Sequence, residues 1–154
     1  MILTAHQPVY LPWLGLFHKI ALSELFVWFD DVQYQTKDWN NRNKIKTKNG
    51  PIWLSVPVLS KNHFDTKVGK IKINNDLPWA KKHLKSIQLA YSKSEYFNKY
   101  FDFFVETYKR DWQLLADLNL HILNFFLDEL KLKKKIIKLS DLNISGKKSE
   151  LVLN

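Results

Sequence analysis

The chain has 154 residues, 45% of them hydrophobic and 14% aromatic, which is typical of one globular domain and excludes an intrinsically disordered protein. It contains no cysteine, so disulfides and thiolate metal sites are excluded. The first residues lack the pattern of a signal peptide, and no apolar segment has the length of a transmembrane helix. We therefore expect a cytoplasmic protein whose single domain spans residues 1–154.

The net charge of +9 raises the question of an anionic partner. Of the 24 basic residues, only Arg42 and Arg110 are arginines, and the lysines are spread along the chain. Nucleic-acid sites favour arginine because its planar guanidinium makes bidentate and stacked contacts. We therefore favour a solvated basic surface, and we expect nucleic acid not to be the main partner.

The chain begins with two strand-like segments on either side of a short helical one. Residues 2–6 and 25–29 have the length and apolar character of buried strands. Between them, Pro12 suits the first position of a helix, and apolar residues recur at helical spacing over residues 13–21. A strand, a helix and a second strand within about 30 residues predict a βαβ unit with parallel strands.

A β-hairpin is predicted next. Residues 43–47 and 52–56 flank Asn49-Gly50, and Asn-Gly between two strand-like runs is a strong hairpin signal. Residues 67–73 alternate basic and apolar side chains, which predicts a further, partly exposed strand.

The second half of the chain has helical periodicity. Helices are predicted over residues 78–91, 94–109 and 111–130, with Ser94 as the N-cap of the second. The third is apolar nearly all round, as expected of a helix buried among several neighbours. The fold class is therefore α/β, with a βαβ start, a small, mainly parallel Rossmann-like sheet, an inserted hairpin and a helical C-terminal half.

Residues 135–140 predict a last strand, and residues 146–150 begin a helix that stops after about two turns. A helix of two turns is unstable unless it packs against other elements. We therefore expect the chain to be truncated at its C-terminus relative to a longer protein.

Polar and aromatic side chains gather where the predicted strands end. His6 follows the first strand, Asp30 and Asp31 follow the second, and Arg42 lies beside the hairpin. Ligand sites of α/β proteins lie at the carboxyl ends of parallel strands, so these residues predict one crevice. Arg42 suits a carboxylate, a phosphate or a sugar hydroxyl group.

Each of these residues also has a structural alternative. His6 could bond only to the backbone, Arg42 could pair with Asp30 or Asp31, and either aspartate could cap a loop. Trp13 and Trp53 could belong to the core, and His83 could be a packed helical histidine. The two aspartates and His6 lack the spacing of a metal site, so we assign no metal.

Several ordered motifs resemble the WbqC-like family, bacterial proteins encoded in O-antigen and other surface-polysaccharide gene clusters. The motifs are residues 6–15, 31–34, 39–43 and 53–58, with Trp79, His83 and Tyr91 at the family's helical positions and residues 146–149 at its later Gly-x-Lys-Ser element. The resemblance implies transfer of an amino acid, glycine in particular, onto a polysaccharide sugar. It also implies a longer protein, because family members continue beyond the point where this sequence ends.

A weaker resemblance is to the nucleotidyltransferase-like α/β fold, which carries a His-x-Gly-His motif at the start of its first helix. The order of elements is similar, but Trp13 and Leu16 stand where the two histidines should be. This resemblance implies a nucleotide such as ATP as a cofactor, with Lys147, Lys148 and Ser149 binding phosphate.

Together the residues and resemblances predict a transferase of surface-polysaccharide biosynthesis that moves an aminoacyl, or related acyl, group to an amino sugar. Its substrates would be a nucleotide-sugar or an activated amino acid. The alternative is a non-catalytic module that binds a nucleotide or nucleic acid. We assign catalytic roles to His6, Asp31 and Arg42, and substrate contacts to Gln7, Tyr10, Trp13, Gln33, Tyr34, Trp39, Asn41, Asn43, Trp53 and His83.

Overall fold

The computed structural model describes residues 1–59 and 66–142. In chain order the strands and helices are β1 (Leu3–His6), α1 (Leu14–Ala21), β2 (Leu25–Trp28), β3 (Arg42–Thr47), β4 (Gly50–Ser55), α2 (Trp79–Tyr91), α3 (Phe97–Lys109), α4 (Leu115–Glu129) and β5 (Lys135–Lys138). The fold class is α/β, as predicted: a small parallel sheet, an antiparallel hairpin and four helices, three of which lie in the second half of the chain.

The sheet has the strand order β1-β2-β5, and both pairs are parallel. The predicted βαβ unit is confirmed, since β1 and β2 flank α1 and pair in parallel. His6, Trp28 and Lys138 end the three strands in matching register. The carboxyl ends of all three strands therefore form one edge of the sheet.

The hairpin of β3 and β4 is also confirmed, although its turn differs from the expected one. Thr47 pairs with Gly50, so Lys48 and Asn49 form the turn. Gly50 has a φ of 106°, a conformation that side-chain-bearing residues rarely adopt. The glycine thus ends the turn, while neither Lys48 nor Asn49 has the positive φ of a type I′ centre.

The strand predicted over residues 67–73 is wrong. Val68–Lys70 forms a short 3-10 turn, and only isolated bridges join the neighbouring residues to other segments. Val68 and Ile71 are both buried, a spacing of three residues that a turn satisfies and a two-residue alternation does not. The backbone N–H of Gly69 donates to the carbonyl of Asp30 at 2.8 Å, which fixes this turn against the end of β2.

The three later helices are confirmed, each with a later start: by one residue for α2, three for α3 and four for α4. Ser94 does not cap α3, because its hydroxyl donates to the Tyr91 carbonyl at the end of α2. The start of α4 is delayed because Leu114 forms a bridge with Lys72 and the N–H of Leu115 donates to the Ile71 carbonyl. The last strand ends at Lys138 and continues into a 3-10 turn.

Helix α4 contributes to both parts of the core. Its residues Leu115, Leu118 and Ile122 pack with the hairpin and with α2 and α3. Leu123 and Leu127 pack instead with α1 and β2. Helix α4 therefore joins the βαβ unit to the rest of the protein. None of the helices in the described part of the chain is both long enough and apolar enough to cross a membrane.

Candidate functional site

Four aromatic side chains from separate parts of the sequence form a continuous run, here called the aromatic surface: His6, Trp13, Trp39 and Trp53. Neighbouring ring centres are 5.4, 6.5 and 5.5 Å apart, from His6 to Trp53. The three indoles are 43%, 42% and 44% exposed. Trp13 and Trp53 are therefore not core residues, and the run presents its rings to solvent.

Trp13 takes its place on the aromatic surface because Gly15 has no side chain. A Cβ atom added to Gly15 would lie 2.7 Å from Nε1 of Trp13. The indole thus folds over the start of α1, where any larger residue at position 15 would displace it.

Two cations border this surface at Trp53. The guanidinium carbon of Arg42 lies 4.5 Å from the Trp53 ring centre, and the ammonium of Lys44 lies 4.8 Å from it. Arg42 and Lys44 are two residues apart on β3, so their side chains leave the strand on the same face. A ligand stacked at Trp53 would meet two positive charges.

Arg42 does not form the ion pair with Asp30 or Asp31 that was its structural alternative. It donates instead to the backbone carbonyl of Lys37, while Nε is buried without a partner among the described residues. Asp31 pairs with Lys67 at 2.6 Å. The guanidinium charge is therefore not neutralised by a carboxylate within the described part of the chain.

His6 has a defined tautomer. Its Nδ1 lies 2.9 Å from the backbone carbonyl of Gln7. Because a carbonyl oxygen only accepts, Nδ1 must carry the proton. In the neutral ring Nε2 is then the proton acceptor, which is the arrangement that a general base requires.

Amide side chains connect the loops that carry the aromatic surface. Asn40 is buried and donates to the Pro8 carbonyl at 2.7 Å and to the Gln7 side chain at 3.3 Å. Asn119 of α4 donates in turn to the Asn40 carbonyl at 2.8 Å. Asn40 and Asn119 were not among the predicted residues, since burial of an amide depends on the tertiary fold.

Asn41 and Asn43 also bond to backbone. Asn43 donates to the Leu11 carbonyl at 2.6 Å, and Asn41 donates to the Val56 carbonyl at 2.8 Å. Leu11 has a φ of 48°, so the contact from Asn43 stabilises a backbone conformation that is unfavourable for leucine. In this structure Gln7, Asn41 and Asn43 position the loops of the site.

Tyr10 and His83 lie in the core rather than on the aromatic surface. The Tyr10 hydroxyl lies 2.8 Å from Nδ1 of His83 and also hydrogen-bonds the Tyr108 hydroxyl. Burial lowers the pKa of His83 to about 4, against a weaker opposing effect of a hydrogen bond to the Ser55 backbone. Burial raises the pKa of Tyr10. Tyr34 is likewise only 4% exposed.

Apart from the aromatic surface, a polar cavity of about 170 Å³ lies at the carboxyl edge of the sheet. We call it the carboxyl-edge crevice. Both carboxylate oxygens of Asp30 bind Ser140, one its backbone N–H and the other its hydroxyl. Asp30 therefore caps the turn after β5, as its structural alternative proposed. The crevice is lined by Trp28, Asp30, Asp31, Gly69, Lys70, Leu114, Ala116, Asp117, Leu120, Lys138 and Ser140.

The crevice and the aromatic surface are neighbours. Trp28 lines the crevice and pairs with His6, which begins the aromatic surface. Paired strands are about 4.8 Å apart, so the two regions meet at the ends of β1 and β2. Gln33 lies nearby, in a bridge with Lys67. Lys147, Lys148 and Ser149 lie outside the described residues, and their phosphate-binding role stays a prediction.

A larger cavity of about 350 Å³ lies between the hairpin, the segment Leu11-Pro12 and the helices α2 to α4. Its walls are mainly aromatic and aliphatic, and include Phe97, Phe101 and Phe104. Of its polar groups, the Tyr91 hydroxyl already accepts from the backbone of Lys46. This cavity offers apolar contact but few groups for chemistry.

Over residues 1–59 and 66–142, no three histidine and acidic side chains are grouped so that they could hold a metal ion. Besides Asn40 and Asn119, the polar residues that sequence reasoning missed are Lys44, Lys70, Asp117, Lys138 and Ser140. Only Lys44 had a local signal, because it lies two residues after Arg42 in a predicted strand. The others depend on the packing of α4 and of residues 66–73 against the sheet.

Comparison with known proteins identifies the family of the chain. Residues 7–154 match the WbqC-like protein family. The chain is 33% identical over 149 residues to the uncharacterized protein Rv1507c of Mycobacterium tuberculosis, an alignment that covers 96% of this chain and 64% of that protein. No solved structure matches the chain. The chain belongs to the WbqC-like protein family.

Proposed function

We propose that this protein is a transferase of bacterial surface-polysaccharide (O-antigen) assembly, which moves an aminoacyl, for example glycyl, or related acyl group onto an amino sugar. The donor would be an activated amino acid, and the sugar would enter free or as a nucleotide-sugar in the cytoplasm. The observation that carries the proposal is the run of three half-exposed indoles that ends at His6.

A sugar ring suits this surface because one of its faces is made mainly of C–H groups. Such a face can pack against an indole and remove apolar area from water, while its hydroxyls remain free for polar contacts. Three adjacent rings would accommodate more than one sugar unit. Sugar binding would explain why the three tryptophans are exposed, since large exposed apolar patches mark interaction sites.

In this proposal His6 moves the proton during the transfer. The amine nitrogen of the sugar would attack the acyl carbon, so that a C–N bond forms and the bond to the donor's leaving group breaks. The amine proton would pass to Nε2 of His6, whose other nitrogen is held by the Gln7 carbonyl. Asp31 is engaged by Lys67, so we assign the proton transfer to His6.

Arg42 and Lys44 would bind an anionic group of the ligand. Both border Trp53 at less than 5 Å from its ring centre. A phosphate or carboxylate on the sugar or on its carrier could bind there while the ring stacks on the indole. A nucleotide such as ATP would meet the same contacts if the donor is activated by phosphate chemistry.

The same cations favour the second candidate, a non-catalytic module that binds a nucleotide or single-stranded nucleic acid. Aromatic rings beside positive charge are typical of such modules, in which each stacked base contributes about 1 to 3 kcal/mol. The two candidates differ in ligand and in salt dependence. Polynucleotide affinity falls steeply with salt because counterions are released from its phosphates, whereas glucosamine has no phosphate and its affinity does not fall in this way.

The test is a set of binding titrations at 50 and 200 mM salt with glucosamine, with ATP and with a single-stranded oligonucleotide. We expect glucosamine to bind, and Trp39→Ala and Trp53→Ala to weaken it about tenfold. Tyr96→Ala is the matched control, since Tyr96 is an exposed aromatic residue outside the aromatic surface. Tight, salt-sensitive oligonucleotide binding without sugar binding would reject the transferase in favour of the second candidate.

A further inference from the structure

The carboxyl-edge crevice contains charged side chains that the protein does not pair. Two of its three carboxylates are occupied, Asp30 by Ser140 and Asp31 by Lys67. The remaining charged residues that line the crevice are Lys70, Asp117 and Lys138. Among residues 1–59 and 66–142, no ion pair and no side-chain hydrogen bond uses any of these three.

The absence of pairing between these three residues matters because they border one small cavity. Lys70 follows the Gly69 contact to Asp30, Asp117 lies in the first turn of α4, and Lys138 ends β5. Neither lysine lies within 4.0 Å of the Asp117 carboxylate. Lys70 and Asp117 are exposed and Lys138 is half-buried, so opposite charges border the same space without contacting each other.

The size of the crevice limits its ligand. Its volume of about 170 Å³ is below the range of about 300 to 1,000 Å³ that drug-sized ligands occupy. A nucleotide would not fit within it. Its place outside the carboxyl ends of β2 and β5 is where open parallel sheets bind their ligands.

We propose that the carboxyl-edge crevice binds a small zwitterion, the chemical class that includes the free amino acids. An anion alone would be attracted by Lys70 and Lys138 but repelled by Asp117. A cation alone would be attracted by Asp117 but repelled by Lys70 and Lys138. A molecule with one carboxylate and one ammonium group a few bonds apart satisfies all three side chains, with charge-assisted hydrogen bonds at both ends.

The binding site itself does not rest on the proposed function. Only the identification of this zwitterion with the amino acid of the transfer reaction, before its carboxylate is activated, rests on it. The crevice meets the aromatic surface through the pair of Trp28 and His6. A zwitterion in the crevice and a sugar on the aromatic surface would therefore lie on either side of His6 and Trp28.

The experiment is an NMR titration of the ¹⁵N-labelled chain with glycine, and separately with acetate, methylammonium and inorganic phosphate. We expect glycine to shift the backbone amides of Gly69, Ala116 and Ser140, which line the crevice. Acetate, methylammonium and phosphate should each bind at least tenfold more weakly. Lys138→Met and Asp117→Asn should each weaken glycine binding about tenfold, with Lys70→Met as a second lysine variant in case Lys138→Met does not fold.

Lys135→Met and Asp128→Asn are the matched controls, since Lys135 lies at the opposite end of β5 and Asp128 at the opposite end of α4. Both should bind glycine like the unmodified chain. Acetate or phosphate binding as tightly as glycine would overturn the zwitterion and leave an anion site. No shift with glycine, or shifts away from the crevice, would overturn the site, while glucosamine binding at the tryptophans would still test the proposed function independently.

Discussion

The guanidinium of Arg42 stacks over the indole of Trp53, with its central carbon 4.5 Å from the ring centre. The contact crosses the hairpin, from the first residue of β3 to β4. It joins the most specific anion-binding side chain of the site to the aromatic surface. A ligand that stacks its ring on Trp53 would therefore place its anionic group beside Arg42.

This contact makes arginine and lysine unequal at position 42. Arg42→Lys keeps the charge but loses the planar stacking on Trp53, and its single ammonium replaces a fork of five N–H donors. We expect affinity for an anionic sugar or nucleotide to fall about tenfold, with little change for glucosamine, which carries no anionic group. Calorimetric titration of both ligands measures the difference, and Lys44→Arg serves as the reciprocal control. Equal losses for the anionic ligand and for glucosamine would contradict a role in anion recognition.

Substitution by alanine should affect stability differently at two glycines, Gly69 and Gly15. At Gly69 an added Cβ would lie 2.8 Å from the Asp30 backbone oxygen, which cannot move without disturbing the end of β2. At Gly15 the obstructing atom belongs to the Trp13 indole, a side chain that can rotate away. We expect Gly69→Ala to destabilise the fold by about 1 to 3 kcal/mol, the usual cost of overpacking.

Gly15→Ala should instead leave stability nearly unchanged, because alanine favours the helix, while it moves Trp13 off the aromatic surface and weakens sugar binding. Urea unfolding and a sugar titration of both variants separate the two effects. The interpretation fails if Gly15→Ala unfolds the protein while Gly69→Ala is tolerated.

The adjacent aspartates provide a matched pair. Asp30 is 9% exposed and accepts two hydrogen bonds from Ser140, at 2.9 and 2.7 Å. Asp31 forms a partly exposed ion pair with Lys67. Asp30→Ala should cost about 2 to 3 kcal/mol of stability, because hydrogen bonds to charged groups are the stronger ones. Asp31→Ala should cost at most about 1 kcal/mol. If urea unfolding shows the same loss of stability for both variants, the hydrogen bonds that Asp30 accepts from Ser140 do not stabilise the fold as argued.

His83 predicts a pH dependence of stability. Its pKa is lowered by burial from 6.5 to about 4, so the folded state binds fewer protons than the unfolded state between those values. Stability attributable to neutral His83 is complete above about pH 6.5 and is lost as the pH falls through about 4. The full loss is about 3 kcal/mol.

Urea unfolding from pH 7 to pH 4 checks this, with His83→Gln as the comparison. The variant should be less stable at pH 7, because it loses the contact with Tyr10, yet its stability should fall less steeply with acid. An unchanged slope in His83→Gln would assign the acid sensitivity to another group.

Much of the fold was predictable because it depends on local patterns. The βαβ unit follows from apolar runs of strand length, and the hairpin follows from the Asn49-Gly50 signal, although the turn itself is formed by Lys48 and Asn49. The segment around Gly69 was not predictable, because its alternation of side chains fits a strand, whereas a backbone contact to Asp30 makes it a turn. That contact joins residues far apart in sequence.

The candidate site was predictable as a set of residues but not as an arrangement. His6, Trp13, Trp39 and Trp53 were all chosen from the sequence, yet their order along one surface requires the tertiary fold. Tyr10 belongs to the same motif as His6 but lies in the core, since its hydroxyl bonds His83 from α2. No local pattern distinguishes the two positions.

The most direct test of the central claim uses the six tryptophan indole N–H signals in the NMR spectrum of the ¹⁵N-labelled chain. On addition of glucosamine we predict that the signals of Trp13, Trp39 and Trp53 shift together with one affinity. Those of the buried Trp28 and Trp79 should not move. Shifts of the buried indoles alone, or no shift of the three on the aromatic surface at saturating sugar, would contradict the claim that this surface binds the sugar.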